Sequence, residues 1–189
     1  MRLLPALAVT LSLSLPAAAE TVLSEASGNW AGTSGEGFTF VARLTQNEDM
    51  ARLTIWGGGP GSPALAEGEP EFDNATIAIG AFATKQALEV VETGDGSTLQ
   101  IVTDYADEEG TGRIVTELQF LDNQFTVVGY HHQGETAGRS HTCDVDLWNM
   151  TAVEDGNARV LEPVGFEALN ASDWTWDAAY ERGFCHRAE

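Results

Sequence analysis

Along most of this chain apolar residues recur at every second position, in short runs separated by Gly, Asp and Asn. In FTFVARLTQ (38–46), Phe38, Phe40, Ala42 and Leu44 alternate with Thr39, Val41 and Arg43; after Asn47-Glu48-Asp49 comes a second run, ARLTIW (51–56). Period two sends successive side chains to opposite faces of a strand, so two such runs about a short polar turn predict a β-hairpin. ATIAIGAFA (75–83), ALEVVET (87–93) and TLQIVTDY (98–105) continue the pattern. GRIVTELQFL (112–121) and FTVVGYHHQ (125–133), joined by Asp122-Asn123-Gln124, make another hairpin, with SHTCDVDLWNM (140–150) as its next neighbour. Turns this short leave no room for crossover helices. The expected fold class is therefore all-β: an antiparallel meander of about eight strands, closed as a β-barrel or stacked as a β-sandwich.

Two stretches break the alternation. GGGPGSPALAEGEPE (57–71) is long, acidic and rich in Gly and Pro, and predicts a mobile surface loop. NASDWTWDAAYERGFC (170–185) predicts a short C-terminal helix, with Asn170 or Ser172 as cap, Asp173 near its start, Arg182 near its end and Gly183 as its stop. Trp176, Ala179, Tyr180 and Gly183 would share the face that packs onto the β-structure.

The first segment has the form of a cleaved secretory signal over residues 1–19: Arg2, a short apolar run, then Ala17-Ala18-Ala19. Residues 20–189 are then expected to form a single exported domain with no membrane span, secreted or periplasmic. The alanine-rich cleavage region favours a bacterial periplasm. In an oxidising compartment Cys143 and Cys185 form one disulfide. It would close a loop of about 43 residues and contribute up to about 4 kcal/mol, tying the C-terminal helix to the strand that carries Cys143.

Charge narrows the partners. Nine basic residues stand against 29 acidic ones, a formal net charge of −20, and Lys85 is the only lysine. A field of that sign repels phosphate backbones and excludes nucleic-acid binding. It suits a cationic protein partner, an inhibited basic enzyme such as lysozyme being one case, and equally a hydrated acidic surface. Asp104, Asp107, Glu108 and Glu109 crowd one turn, where weak calcium binding competes with the simpler reading of a solvated hairpin tip. GTSGEG (32–37) has Glu36 where a serine elbow needs Gly, and GGGPGS has no following Lys for a phosphate loop, so turn chemistry accounts for both. Asn74, Asn149 and Asn170 head N-x-S/T sequons.

Gly28-Asn29-Trp30 and Thr103-Asp104-Tyr105 resemble, in that order, the G-x-W and T-D-Y motifs of the lipocalins. The resemblance covers six residues, and the strands between and after the two motifs depart from that family's count. What it implies is a barrel plugged at one end by Trp30, with a ligand held inside.

The remaining chemistry lies in YHHQGETAGRSHTC (130–143), with three of the four histidines. Treating Gln133–Arg139 as the loop of a hairpin sets His131 opposite His141, close enough to share a zinc or copper ion, with His132 on the other face. A third ligand would be Glu135, or His186 if the disulfide draws the C-terminus near. Two readings follow. The preferred one is a non-enzymatic exported domain that binds a small molecule or a cationic protein. The alternative is a metal-binding protein or metal-dependent hydrolase centred on His131 and His141.

Overall fold

The computed structural model describes residues 20–32, 37–59, 62–92, 96–108 and 110–187. Residues 1–19, expected to be a secretory signal, lie outside them, as do Glu109 and most of GTSGEG. The described residues form an all-antiparallel fold of two sheets, a sandwich-like arrangement with no closed barrel. The first sheet has the order β1 (Val22–Asn29), β2 (Thr39–Asn47), β3 (Met50–Gly57), β4 (Phe72–Ile79). The second runs β5 (Ala83–Glu92), β6 (Ser97–Ala106), β7 (Gly110–Leu121), β8 (Gln124–Thr136), β9 (Arg139–Asp146), β10 (Thr151–Glu154), β11 (Asn157–Val160) as a continuous meander. Among the described residues no helix is long and apolar enough to cross a membrane.

The chain changes sheets at Gly80–Phe82, where the amides of Gly80 and Ala81 both donate to the Asp49 carbonyl and Phe82 adopts a φ of 63°. This corner decides between sandwich and barrel, because it turns β5 away from β4 rather than pairing it. Edge strand β1 bridges the gap: Ser24 Oγ accepts from Leu88 N at 2.9 Å, and Ser97 Oγ donates to the Asn29 carbonyl at 2.6 Å. Trp30 does not plug a barrel. Its ring stacks on Phe40 at 4.0 Å and packs edge-on to Phe125 at 5.9 Å, filling one end of the sandwich core.

Alternation places Phe40, Leu44, Leu53 and Ile55 of one sheet against Leu99, Ile101, Leu118 and Val127 of the other, all essentially buried. Each such side chain contributes about 1.5–3 kcal/mol by leaving water. The 57–71 stretch, expected to be a mobile loop, is tied down in its described part. Thr39 Oγ1 donates to the Ser62 carbonyl at 2.7 Å and accepts from Ala64 N at 2.9 Å, and Trp56 Nε1 donates to the Gly68 carbonyl at 3.1 Å.

The C-terminal helix is shorter than expected. Two 3-10 turns, Phe166–Leu169 and Ala171–Asp173, precede a single α-turn, α1 (Ala178–Glu181). Backbone competition explains this. Buried Asn74 of β4 donates to the carbonyls of Ala171 and Trp174, each at 2.7 Å, and Trp176 N donates to the Thr76 carbonyl at 3.1 Å. The groups that a continuous helix would pair internally are thus held by the neighbouring strand. Asn170 does act as a cap, accepting from Ser172 N at 2.9 Å. Gly183, at a φ of 71°, ends α1 and lets Phe184 and Cys185 donate back to the Ala179 carbonyl. The Cys143–Cys185 disulfide is formed, with Cα atoms 6.0 Å apart, and pins this segment onto β9.

Candidate functional site

The β8–β9 hairpin is tighter than the sequence pattern indicated. Strand pairing continues out to Thr136 opposite Arg139, and the turn is only Ala137-Gly138, both at positive φ (52° and 76°). A two-residue turn of this hand matches the twist of the flanking strands. It moves the register by three positions, so His131 faces Asp144 and His141 faces Gly134. An odd shift exchanges faces. The expected His131–His141 pair is therefore split across the sheet, and His132 takes the place of His131 beside His141, with ring centroids 5.9 Å apart.

On the outer face, His131 Nδ1 lies 3.1 Å from Asp144 and its Nε2 lies 3.5 Å from Glu117. The Glu117 carboxylate raises the His131 pKa above its ordinary value. Glu135 shares this face, away from the other histidines. His186, the other expected third ligand, does approach His141, through Glu154. That carboxylate accepts from His186 Nδ1 at 2.6 Å and lies 3.8 Å from His141 Nε2, while His141 Nδ1 is 3.0 Å from Asp155. Of the acidic turn, Asp104 pairs with Arg113 at 3.4 Å, and Asp107 accepts from Gly110 N at 2.8 Å. Among the described residues no three His, Cys, Asp or Glu side chains converge as a metal-holding group.

The inner face of the large sheet carries the candidate site. Its register sets Glu154, Cys143, His132, Ile114 and Thr103 in one row across β10 to β6. One row outward come His141, Gly134, Gly112 and Tyr105; one row inward come Val145, Tyr130, Thr116 and Ile101. The two glycines clear the middle of the outer row. A Cβ on Gly112 would fall 2.5 Å from Tyr105 Oη, and one on Gly134 would fall 3.0 Å from His132 Nε2. Over this bare patch Tyr105 reaches His132, with Oη 2.8 Å from Nε2.

From the other side α1 delivers Tyr180, whose hydroxyl hydrogen-bonds His132 Nδ1. A neutral imidazole has one donor and one acceptor, so one phenol donates to the ring and the other accepts from it. Burial, followed by the nearby His141, lowers the His132 pKa to about 4. Burial likewise raises Tyr105 and Tyr180 above the ordinary phenol value, and Tyr130 well above it. At neutral pH the Tyr105–His132–Tyr180 chain carries no charge.

Between this face and the C-terminal segment lies a cavity of about 640 Å³, walled by Tyr105, Tyr130, His132, Trp176, Asp177 and Tyr180. The Tyr130 hydroxyl is fully buried and has no hydrogen-bond partner among the described residues. Burial raises the Asp177 carboxyl despite its contact with Arg187.

The sequence reading missed the tyrosines as a group. Its available signals were the T-D-Y end of β6, Tyr130 two positions before His132, and Tyr180 on the packed face of the C-terminal segment. What fold and site define together is an all-β sandwich whose larger sheet overhangs its partner and is capped by a stapled C-terminal segment around an aromatic cavity. No protein-family model matches the chain, and neither a curated protein nor a solved structure is significantly similar to it.

Proposed function

We propose that this protein is an exported, non-enzymatic binding domain whose ligand is a small molecule held in the cavity between β6–β9 and the C-terminal segment. The observation that carries the reading is the wall itself: about 640 Å³ bounded by aromatic rings and a few fixed polar groups, His132 and Asp177 among them. Ligand pockets have this size and this mixture of apolar surface with a few placed polar groups. Of the two kinds of partner expected from sequence, a small molecule or a cationic protein, such a cavity favours the first.

Binding is favoured over catalysis by the state of His132. An efficient general base has a pKa near the working pH and reaches the proton that it abstracts. Both His132 nitrogens are engaged by phenols, and its pKa lies at about 4. Export is supported by the form of residues 1–19 and by the Cys143–Cys185 pair, a bond that persists in an oxidising compartment.

Native mass spectrometry of the protein purified from its own host tests the reading. The expected spectrum shows a retained small molecule that is released on unfolding, and a Trp176→Ala, Tyr180→Ala double variant that folds but retains none. Equal retention by that variant would place the ligand elsewhere and refute the proposal.

A further inference from the structure

We propose that the ligand of this cavity is an organic cation with an apolar or aromatic body, and that Arg187 is a tethered stand-in for its charged head. The inference rests on the small-molecule reading above and adds the chemical class. Its starting point is the seat that Arg187 occupies. The guanidinium bonds the Asp177 carboxylate through Oδ2 and lies 5.3 Å from the centre of the Tyr180 ring. A carboxylate beside an aromatic face is the pairing that recognises alkylammonium and guanidinium groups, the ring contributing through its quadrupole.

Seat and occupant are unequally buried. The Asp177 side chain is 15% exposed and that of Arg187 is 69% exposed. The second Asp177 oxygen, Oδ1, is buried with no hydrogen-bond partner among the described residues. Arg187 thus satisfies half of the carboxylate from outside, from a position two residues beyond the Cys185 of the disulfide. A free ligand entering the cavity could use both oxygens and displace a side chain that loses little by returning to water.

The rest of the wall agrees with this class. Tyr105, Trp176 and Tyr180, each only partly buried, offer ring surface to the body of the ligand, with the fully buried Tyr130 packed behind them. His132, neutral between its two phenols, does not oppose a cation. The net charge of −20 draws cations toward the mouth and repels anions. Asp107 borders the cavity and favours a cation, whereas Arg139, also at its border, makes an anionic ligand the competing chemistry.

Isothermal titration calorimetry of the full chain with phenyltrimethylammonium, benzyl alcohol and benzoate separates the classes, since the three share a ring and differ in charge. The expected order places phenyltrimethylammonium about tenfold tighter than benzyl alcohol, with benzoate weakest. Arg187→Ala, a change at an exposed side chain, should tighten the cation several-fold. Asp177→Asn should weaken it about tenfold and leave benzyl alcohol unchanged. If Asp177→Asn fails to fold, the native chain and Arg187→Ala still decide the matter. Benzyl alcohol or benzoate binding as tightly as the cation overturns the cation class and leaves the small-molecule reading standing. Failure of all three probes to bind at millimolar concentration overturns both.

Discussion

Replacing Gly112 with alanine adds one methyl group to the middle of β7 and tests the candidate site where its geometry is tightest. The new Cβ would stand 2.5 Å from Tyr105 Oη and 2.6 Å from Cζ, well inside contact distance. β7 is paired along both sides and cannot withdraw, so the Tyr105 ring must swing off the strand and give up its 2.8 Å bond to His132. Leaving a half-buried imidazole nitrogen without its partner costs about 1–3 kcal/mol. Against this, alanine restricts the unfolded chain and returns about 0.4–1 kcal/mol. The net expectation is a loss of about 1–2 kcal/mol, which for a chain of this size lowers Tm by roughly 2–8 °C.

Two further substitutions calibrate the number. At Gly134 the added Cβ would sit 3.0 Å from His132 Nε2 and 3.2 Å from Tyr105 Oη, a milder conflict. At Gly165, with φ −64° and nothing within 4 Å, alanine should be neutral or stabilising by up to about 1 kcal/mol. Urea denaturation should therefore rank the losses Gly112→Ala, then Gly134→Ala, then Gly165→Ala. NMR of the His132 ring should show its pKa rising from about 4 toward 6.5 as the displaced phenol admits water. Equal stabilities for Gly112→Ala and Gly165→Ala, with His132 unmoved, would refute the placement of Tyr105 over β7.

Removing the disulfide with Cys143→Ala, Cys185→Ala should cost up to about 4 kcal/mol in urea denaturation, given the 42-residue separation; a loss under about 1 kcal/mol would contradict its role as a constraint on the unfolded chain. Asn74→Ala should cost about 2–4 kcal/mol, because the Ala171 and Trp174 carbonyls lose their donor and Thr76 N its acceptor; Asn74→Asp, which keeps the acceptor alone, should fare no better than alanine in the same assay. The neighbouring histidines should titrate in opposite directions. His132 resists the proton that the unfolded chain accepts from about pH 6.5 downward, so its contribution is complete above 6.5 and about 3 kcal/mol is lost as pH falls to about 4. His131, raised by Glu117, contributes below pH 6.5, and that contribution fades as pH rises through its folded pKa. Histidine titrations by NMR that left both rings near 6.5 would contradict the face assignment.

Where large apolar residues alternate, as in β2, β3, β7 and β8, the strands were legible because burial on one face is the dominant free-energy term. β1 was not, because its side chains in VLSEASGN are mostly small or polar and it is only half covered, so little hydrophobic contrast marks it. β10 and β11 are four residues each about Asp155-Gly156, too short for periodicity to stand out, although that dipeptide is a hairpin signal. Register was the costliest omission. Whether His131 or His132 faces inward depends on the parity of the turn, and a polar loop of seven residues and a two-residue turn at Ala137-Gly138 fit the same composition. The Asn74 sequon shows the converse limit. A motif that marks a surface acceptor sits 4% exposed, with both amide protons used inside the protein.

The cavity is a consequence of unequal sheets. β7 and β8 are 12 and 13 residues long, whereas β2, β3 and β4 have 9, 8 and 8. At about 3.3 Å per residue, four extra residues leave an overhang of roughly 13 Å whose inner face the small sheet cannot reach. Something else must cover it, and the disulfide, Asn74 and the Thr76 carbonyl together bring the C-terminal segment there. A cover needed only for closure would be aliphatic and would fill the space, as Leu99, Leu118 and Val127 do deeper in the sandwich. Here the cover brings Trp176, Asp177 and Tyr180 onto Tyr105, Tyr130 and His132 instead. Their polar tips interlock around an open volume rather than eliminating it, with two glycines keeping the floor bare. Buried polar atoms without a hydrogen-bond partner cost stability. Three such atoms among the described residues, Tyr130 Oη, His141 Nε2 and Asp177 Oδ1, belong to side chains that line this space, so part of that cost falls at the end of the molecule where a ligand could bind.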